Sequence, residues 1–275
     1  MKMKKKWWSF VVVLGVVLSL AACGKKEETS SDSVLKVGAS PTPHAEILEH
    51  VKPKLAEEGI DLEIVTFEDY VLPNKSLAEK EIDANYFQHI PFFNLTVKEN
   101  GYDFVNKAPI HIELMGLYSQ RIKDVKELKD GATIIASNSE SDWGRIITIL
   151  QEAGLVKVKE GTDLLTATFE DIEENPKNLV FKNNVNPELL AAAYQNDEAD
   201  LIAINANFAE GVGLTPEKDA VLVEQDNSPY ANILAVRKED ENDPRVNALL
   251  KALQDPETQK WIEDKWNGKI KPVSK

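Results

Sequence analysis

Two spacings of apolar residues alternate along the chain from Val34 onward. VLKVGAS (34–40) alternates as a strand does, and Ile47, Leu48, Val51 and Leu55 then recur on one helical face behind Pro43, which suits a first helical turn. GIDLEIVTF (59–67) returns to strand alternation, which predicts a β-α-β unit with a short turn after its first strand. NKSLAEKEIDANYFQHI (74–90) adds a short helix and a strand ending near Phe87. In that strand Phe87 and His89 fall on one face, Tyr86 and Gln88 on the other.

A second group begins near Leu117. GATIIAS (131–137) reads as strand, SDWGRIITILQEAGL (141–155) as helix, LVFKN (179–183) as strand and NPELLAAAYQNDEA (186–199) as helix. DLIAINANFA (200–209) runs from strand into helix; NILAVRKED (232–240) adds a strand, and 244–268 adds one or two amphipathic helices. The pattern predicts an α/β fold with mostly parallel sheets and a ligand crevice at the carboxyl ends of the strands. About 250 residues are too many for one small α/β unit and suit two lobes.

The N-terminus follows a different rule. Lys2, Lys4, Lys5 and Lys6 precede an uncharged run from Ser9 to Ala22, a charged region, short apolar region and small residues of an export signal. The run is shorter than the roughly 20 apolar residues a membrane-spanning helix needs. The only cysteine, Cys23, stands between this run and the polar stretch 24–33, which offers nothing for a buried thiol to pack against. Leu20-Ala21-Ala22-Cys23-Gly24 resembles the lipobox of bacterial lipoproteins, whose cysteine is acylated and becomes the first mature residue. The expected order is therefore a signal peptide at 1–22, a tether at 23–33 and a body tied to the membrane from outside by a lipid.

The formal charge of −14, about −18 without the four leader lysines, repels phosphate backbones, so nucleic acid is excluded as a partner. With one cysteine there is neither a disulfide framework nor a thiol nucleophile in the mature body. No G-x-S-x-G and no H-E-x-x-H occurs, which counts against an exported hydrolase. His44, His50, His89 and His111 are scattered without metal-ligand spacing, which counts against a metal-importing lipoprotein. No cofactor motif is present.

VGASPTPHAEILEHVKPKL, DANYFQHIPF, MGLYS, ENPKNL and DNSPYANILAVRKED, in that order, resemble the methionine-binding lipoproteins of bacterial ABC importers, the NlpA/MetQ family. The resemblance runs from about Val34 to the C-terminus. It implies a two-lobed periplasmic-binding-protein type II fold, with lobe 1 formed by 34–112 plus 225–275 and lobe 2 by 113–224. Two strands would cross between the lobes, near Pro109 to Met115 and near Val223 to Asn232. It further implies a monomer that binds methionine or a close relative without turning it over and delivers it to an ABC permease and its ATPase.

A free amino acid needs a partner for its carboxylate, its ammonium and its side chain. Arg145, in the opening turn of a predicted helix, offers a guanidinium that forks onto two oxygens, although Glu140 and Asp142 nearby also suit a solvated surface arginine. Asn205, Asn207 and Asn232 match asparagines the family has at its cleft, and an amide can serve both ends of a zwitterion. Asn205 and Asn207 equally suit a strand end with a helix cap. Tyr70, Phe87, His89 and Tyr118 are the candidates around a thioether. Asp142 stands where the family usually has an amide; it is open whether it meets a ligand ammonium or caps the helix.

Overall fold

A computed structural model describes residues 33–225 and 228–273; the leader, Cys23 and most of the expected tether lie outside the described residues. The chain begins with β1 (Val34–Ala39), α1 (Glu46–Glu57), β2 (Asp61–Thr66), α2 (Leu72–Ala78), β3 (Ala84–His89), α3 (Ile90–Asn100) and β4 (Phe104–Glu113). It continues through β5 (Gly116–Tyr118), β6 (Thr133–Ser137), α4 (Glu140–Glu152), β7 (Lys157–Val158), β8 (Ile172–Glu174), β9 (Val180–Val185) and α5 (Leu190–Gln195). After β10 (Leu201–Ile204) come α6 (Ala206–Gly211), α7 (Pro216–Asp219) and β11 (Ala220–Val223). The final elements are β12 (Ala231–Arg237), α8 (Pro244–Leu253), α9 (Pro256–Lys265) and β13 (Ile270–Pro272).

These elements build two lobes, each around its own sheet. The first sheet has the order β13-β4-β12-β3-β1-β2, the second β11-β5-β10-β6-β9. β1 pairs in parallel with β2 and β3, as the β-α-β pattern predicts, and the predicted face of α1 (Ile47, Leu48, Val51, Leu55) is buried over them. Burying one such side chain is worth about 1.5–3 kcal/mol, which fixes the helix on the sheet more firmly than its propensity does.

The sheets are mixed rather than mostly parallel: β12 runs antiparallel to both β3 and β4, and β5 antiparallel to β10 and β11. The cause is the connection between lobes. The chain leaves the first sheet on β4, enters the second on β5, and returns from β11 to β12, so the crossing strands run against their neighbours. The crossings lie at Glu113 to Gly116 and between Val223 and Ala231, close to where the resemblance puts them.

Strand β3 also extends to His89, two residues past Phe87. Its pairing with β12 shifts register between Ile233 and Leu234, opposite Gln88 and Tyr86, leaving Phe87 as an extra residue. A bulge of this kind re-aims side chains and interrupts strict alternation.

A cleft built from strand ends

The cleft is lined by the carboxyl ends of strands from both lobes, as expected of such sheets. His44 follows β1, Tyr70 follows β2, His89 ends β3, Arg145 lies in the helix after β6, and Asn205 and Asn207 follow β10. Phe87, Gln88, Phe92, Glu113, Ala206 and Asn232 complete the wall of a narrow cavity of about 20 Å³.

Seven of the eight cleft residues expected from sequence meet here: Tyr70, Phe87, His89, Arg145, Asn205, Asn207 and Asn232. Tyr118 does not. It is fully buried in the core of the second lobe among Leu190, Ile202 and Ile204, with Tyr194 at a ring distance of 6.1 Å. Strand β5 is only three residues long, too short for sequence to say which way its side chains turn.

Arg145 is not a hydrated residue at the cleft mouth, for it is only 4 % exposed. Its Nε donates to Glu224 Oε1 at 3.3 Å, and its Nη2 donates to Glu224 Oε2 and, at 3.0 Å, to the Glu113 carbonyl. The guanidinium also lies over the Tyr230 ring, 4.5 Å from its centroid. The fork that the sequence assigns to a ligand is thus occupied by Glu224. Only Nη1 is left outside that pairing, 3.6 Å from Asp142 Oδ1. Burial pulls the guanidinium pKa down, but Glu224 and Asp142 outweigh it and hold it above its ordinary value.

Asp142 does not cap its helix. The cap position belongs to Ser139, and the Asp142 carboxylate instead accepts from His89 Nε2 at 3.0 Å and from Asn205 Nδ2 at 3.1 Å. Burial alone would raise its pKa; the hydrogen bond and charge of His89, with Arg145, bring it below the usual carboxylate range. Asn205 occupies the backbone cap position of α6 without a side-chain cap bond. Its Oδ1 is buried and has no hydrogen-bond partner among the described residues.

Under the cleft floor runs a second polar chain that sequence reasoning did not anticipate. Tyr86 hydroxyl meets His111 Nδ1, His111 Nε2 donates to Glu113 Oε1 at 2.7 Å, and His44 Nε2 lies 3.2 Å from the same oxygen and 3.0 Å from Asn232 Oδ1. Burial keeps both rings neutral, His44 near a pKa of about 4 and His111 about 3, and pushes the Glu113 carboxyl up. The histidines are therefore less scattered than their spacing suggests: nitrogens of His44 and His111 and an oxygen of Glu113 lie within 4.8 Å of one another. The His111 and His44 nitrogens facing this group carry the hydrogens of the network, so metal ligation would require the network to be undone.

The apolar end is a triangle of rings. Tyr70 lies 6.0 Å from Phe87 and 5.9 Å from Phe92, and Phe87 lies 6.1 Å from Phe92; Phe208 stands 5.1 Å from Tyr70. Tyr70 also reaches across the lobes, its hydroxyl donating to Asn207 Oδ1 at 2.6 Å. Phe92 could have been found from sequence, being three residues beyond the cap His89 on the first turn of α3. Glu113 and Glu224 carried no local signal in so acidic a chain.

Residues 35–274 match the model of the NlpA lipoproteins. The chain is 45% identical over 258 residues to the methionine-binding lipoprotein MetQ of Bacillus subtilis, covering 93% of this chain and 94% of that one. Its structure is similar to that of a pheromone cOB1 precursor/lipoprotein of the YaeC family from Enterococcus faecalis, with 58% identity, a TM-score of 0.86 and coverage of 88% and 100%. It is also similar to a nutrient-binding protein from Burkholderia cenocepacia bound to methionine, with 35% identity, a TM-score of 0.81 and coverage of 87% and 100%.

Proposed function

This chain belongs to the NlpA lipoprotein family, substrate-binding lipoproteins held by lipid at the extracytoplasmic face of the membrane, and from that premise we propose that it captures methionine. The observation that carries this reading is the meeting, in one cleft, of a single guanidinium, a buried carboxylate and three rings about 6 Å apart. Among the described residues Arg145 is the only Lys or Arg lining the cleft, so it is the partner of the ligand carboxylate, through Nη1. Glu113 meets the ammonium, and the unpartnered Asn205 Oδ1 accepts a second of its hydrogens. The thioether lies among Tyr70, Phe87 and Phe92, where each sulfur–ring contact contributes about 0.3–1.5 kcal/mol.

Lobe 1 (34–112 and 225–275) and lobe 2 (113–224) close on the ligand as two bodies, because each supplies part of the wall. Acylated Cys23 is the anchor, and the loaded protein, a monomer, delivers methionine to an ABC permease and its ATPase. The test is mass spectrometry of ligand released by denaturing the purified protein, followed by calorimetry on the ligand-free protein with L- and D-methionine. Release of a different compound, with no heat from either enantiomer, would rule methionine out.

A further inference from the structure

Arg145 stands between more negative charge than one guanidinium balances. Glu224 contacts it through both carboxylate oxygens, and Asp142 lies 3.6 Å from the remaining Nη1. Glu224 is itself fixed on the segment that returns to the first lobe. Its Oε2 accepts from the Met115 backbone N–H at 3.0 Å, its Oε1 accepts from Ser228 Oγ at 2.7 Å, and its own N–H donates to the Met115 carbonyl at 2.9 Å. The carboxylate cannot swing away without giving up its bonds to the Met115 N–H and the Ser228 hydroxyl. A ligand carboxylate arriving at Nη1 therefore meets a guanidinium whose charge is already shared.

We propose that Glu224 sets the affinity of the cleft: its carboxylate, with Asp142 as a second, competes with the ligand carboxylate for Arg145 and weakens capture enough for the ligand to be released again. This rests on the reading that Arg145 receives the carboxylate of methionine. The sign is what separates it from a structural role, since removing a mere support of Arg145 weakens binding, whereas removing a competitor strengthens it. Two carboxylates about 6 Å apart on one guanidinium, at an effective dielectric constant of about 20, repel by an amount worth about tenfold to a hundredfold in affinity. Glutamine at position 224 keeps one oxygen for the Met115 N–H and Arg145 Nη2; its NH2 can donate to Ser228 Oγ but no longer accepts from Arg145 Nε, so the charge and one acceptor are lost together.

The experiment is calorimetry of ligand-free wild type, Glu224→Gln and Asp142→Asn with L-methionine and with methioninamide, whose carboxylate is replaced by a neutral amide. In Glu224→Gln the preference for methionine over methioninamide rises at least about tenfold, through tighter methionine binding. Asp142→Asn moves the same ratio in the same direction, and it carries the test alone if Glu224→Gln does not fold. An unchanged or smaller ratio in the folded variants overturns the proposal while leaving methionine as the ligand. A wild type that binds neither compound removes the methionine reading and this inference together.

Discussion

His89 of the first lobe donates from Nε2 to Asp142 Oδ1 of the second at 3.0 Å, while its Nδ1 accepts the Phe92 backbone N–H at 3.1 Å. The backbone bond fixes the tautomer: Nδ1 is the acceptor, so Nε2 carries the hydrogen that crosses the cleft. One ring thus caps α3 and joins the lobes. His89→Ala loses a cap, worth about 0.5–2 kcal/mol, and leaves Asp142 one donor short. The expected result is a lower melting temperature and weaker methionine binding. A double-mutant cycle with Asp142→Ala, which removes the acceptor, separates the two effects, and zero coupling in it would show that the cross-lobe bond contributes nothing.

Arg145→Ala should destabilise the ligand-free protein as well as weaken binding. A hydrated arginine would leave the fold unaffected, but this one is buried against Glu224 and Asp142. Removing one member of a buried ion pair typically costs about 3–5 kcal/mol. Thermal denaturation without ligand checks this, and adding Glu224→Gln to Arg145→Ala should recover part of the loss. An unchanged melting temperature in the single variant would contradict the pairing.

Stability should fall on mild acidification. His44 and His111 are pushed down by burial, to about 4 and about 3, from the ordinary value of 6.5. Their folded pKa values lie below the unfolded ones, so their contribution is complete above pH 6.5 and is lost as pH falls toward 4 and 3. Glu113, raised by burial, has the opposite sign, and its charge is what holds His44 up. Melting temperatures should decline from about pH 6.5 downward, and more steeply in Glu113→Gln. A flat profile between pH 7 and 5 would mean the two rings are not held neutral.

Gly144 precedes Arg145 in α4 where the backbone of Leu164 passes close by. A Cβ at this position would lie 2.0 Å from the Leu164 carbonyl oxygen. Gly144→Ala, which on helix propensity alone would stabilise by about 1 kcal/mol, should instead destabilise and displace Arg145 from its partners. Urea unfolding and methionine calorimetry on the same variant test both halves.

Cys23→Ala should give a folded protein with unchanged methionine affinity that no longer carries lipid and is released from the membrane fraction. Labelling with a palmitate analogue and fractionation check this. Lipid on the variant would move the anchor elsewhere.

The periodicities of the chain determined, without any tertiary information, β1, α1, β2, β3, β6, α4, β9, α5, β10 and β12 and the face that α1 buries, because the repeats of 2 and 3.6 are properties of the local backbone; α3 and β4, which bring Phe92 and Glu113 to the cleft, went unread. The same reasoning made the strand ends the place for a ligand, since their side chains and helix starts converge there whatever the sequence between them. The identities of Arg145, Asn205, Asn207 and Asn232 were legible through the motifs around them. Their partners were not. Arg145 meets Glu224 across 79 residues, His44 meets Asn232 across 188, and His89 meets Asp142 across 53. Such pairs are selected by how two lobes dock and by the cost of leaving a buried charge unpaired, and neither leaves a trace in local spacing. Tyr118 marks the same boundary from the other side: a three-residue strand has too few positions to reveal its buried face, so only its pairing between β10 and β11 turned the ring into the core of the second lobe and away from the cleft.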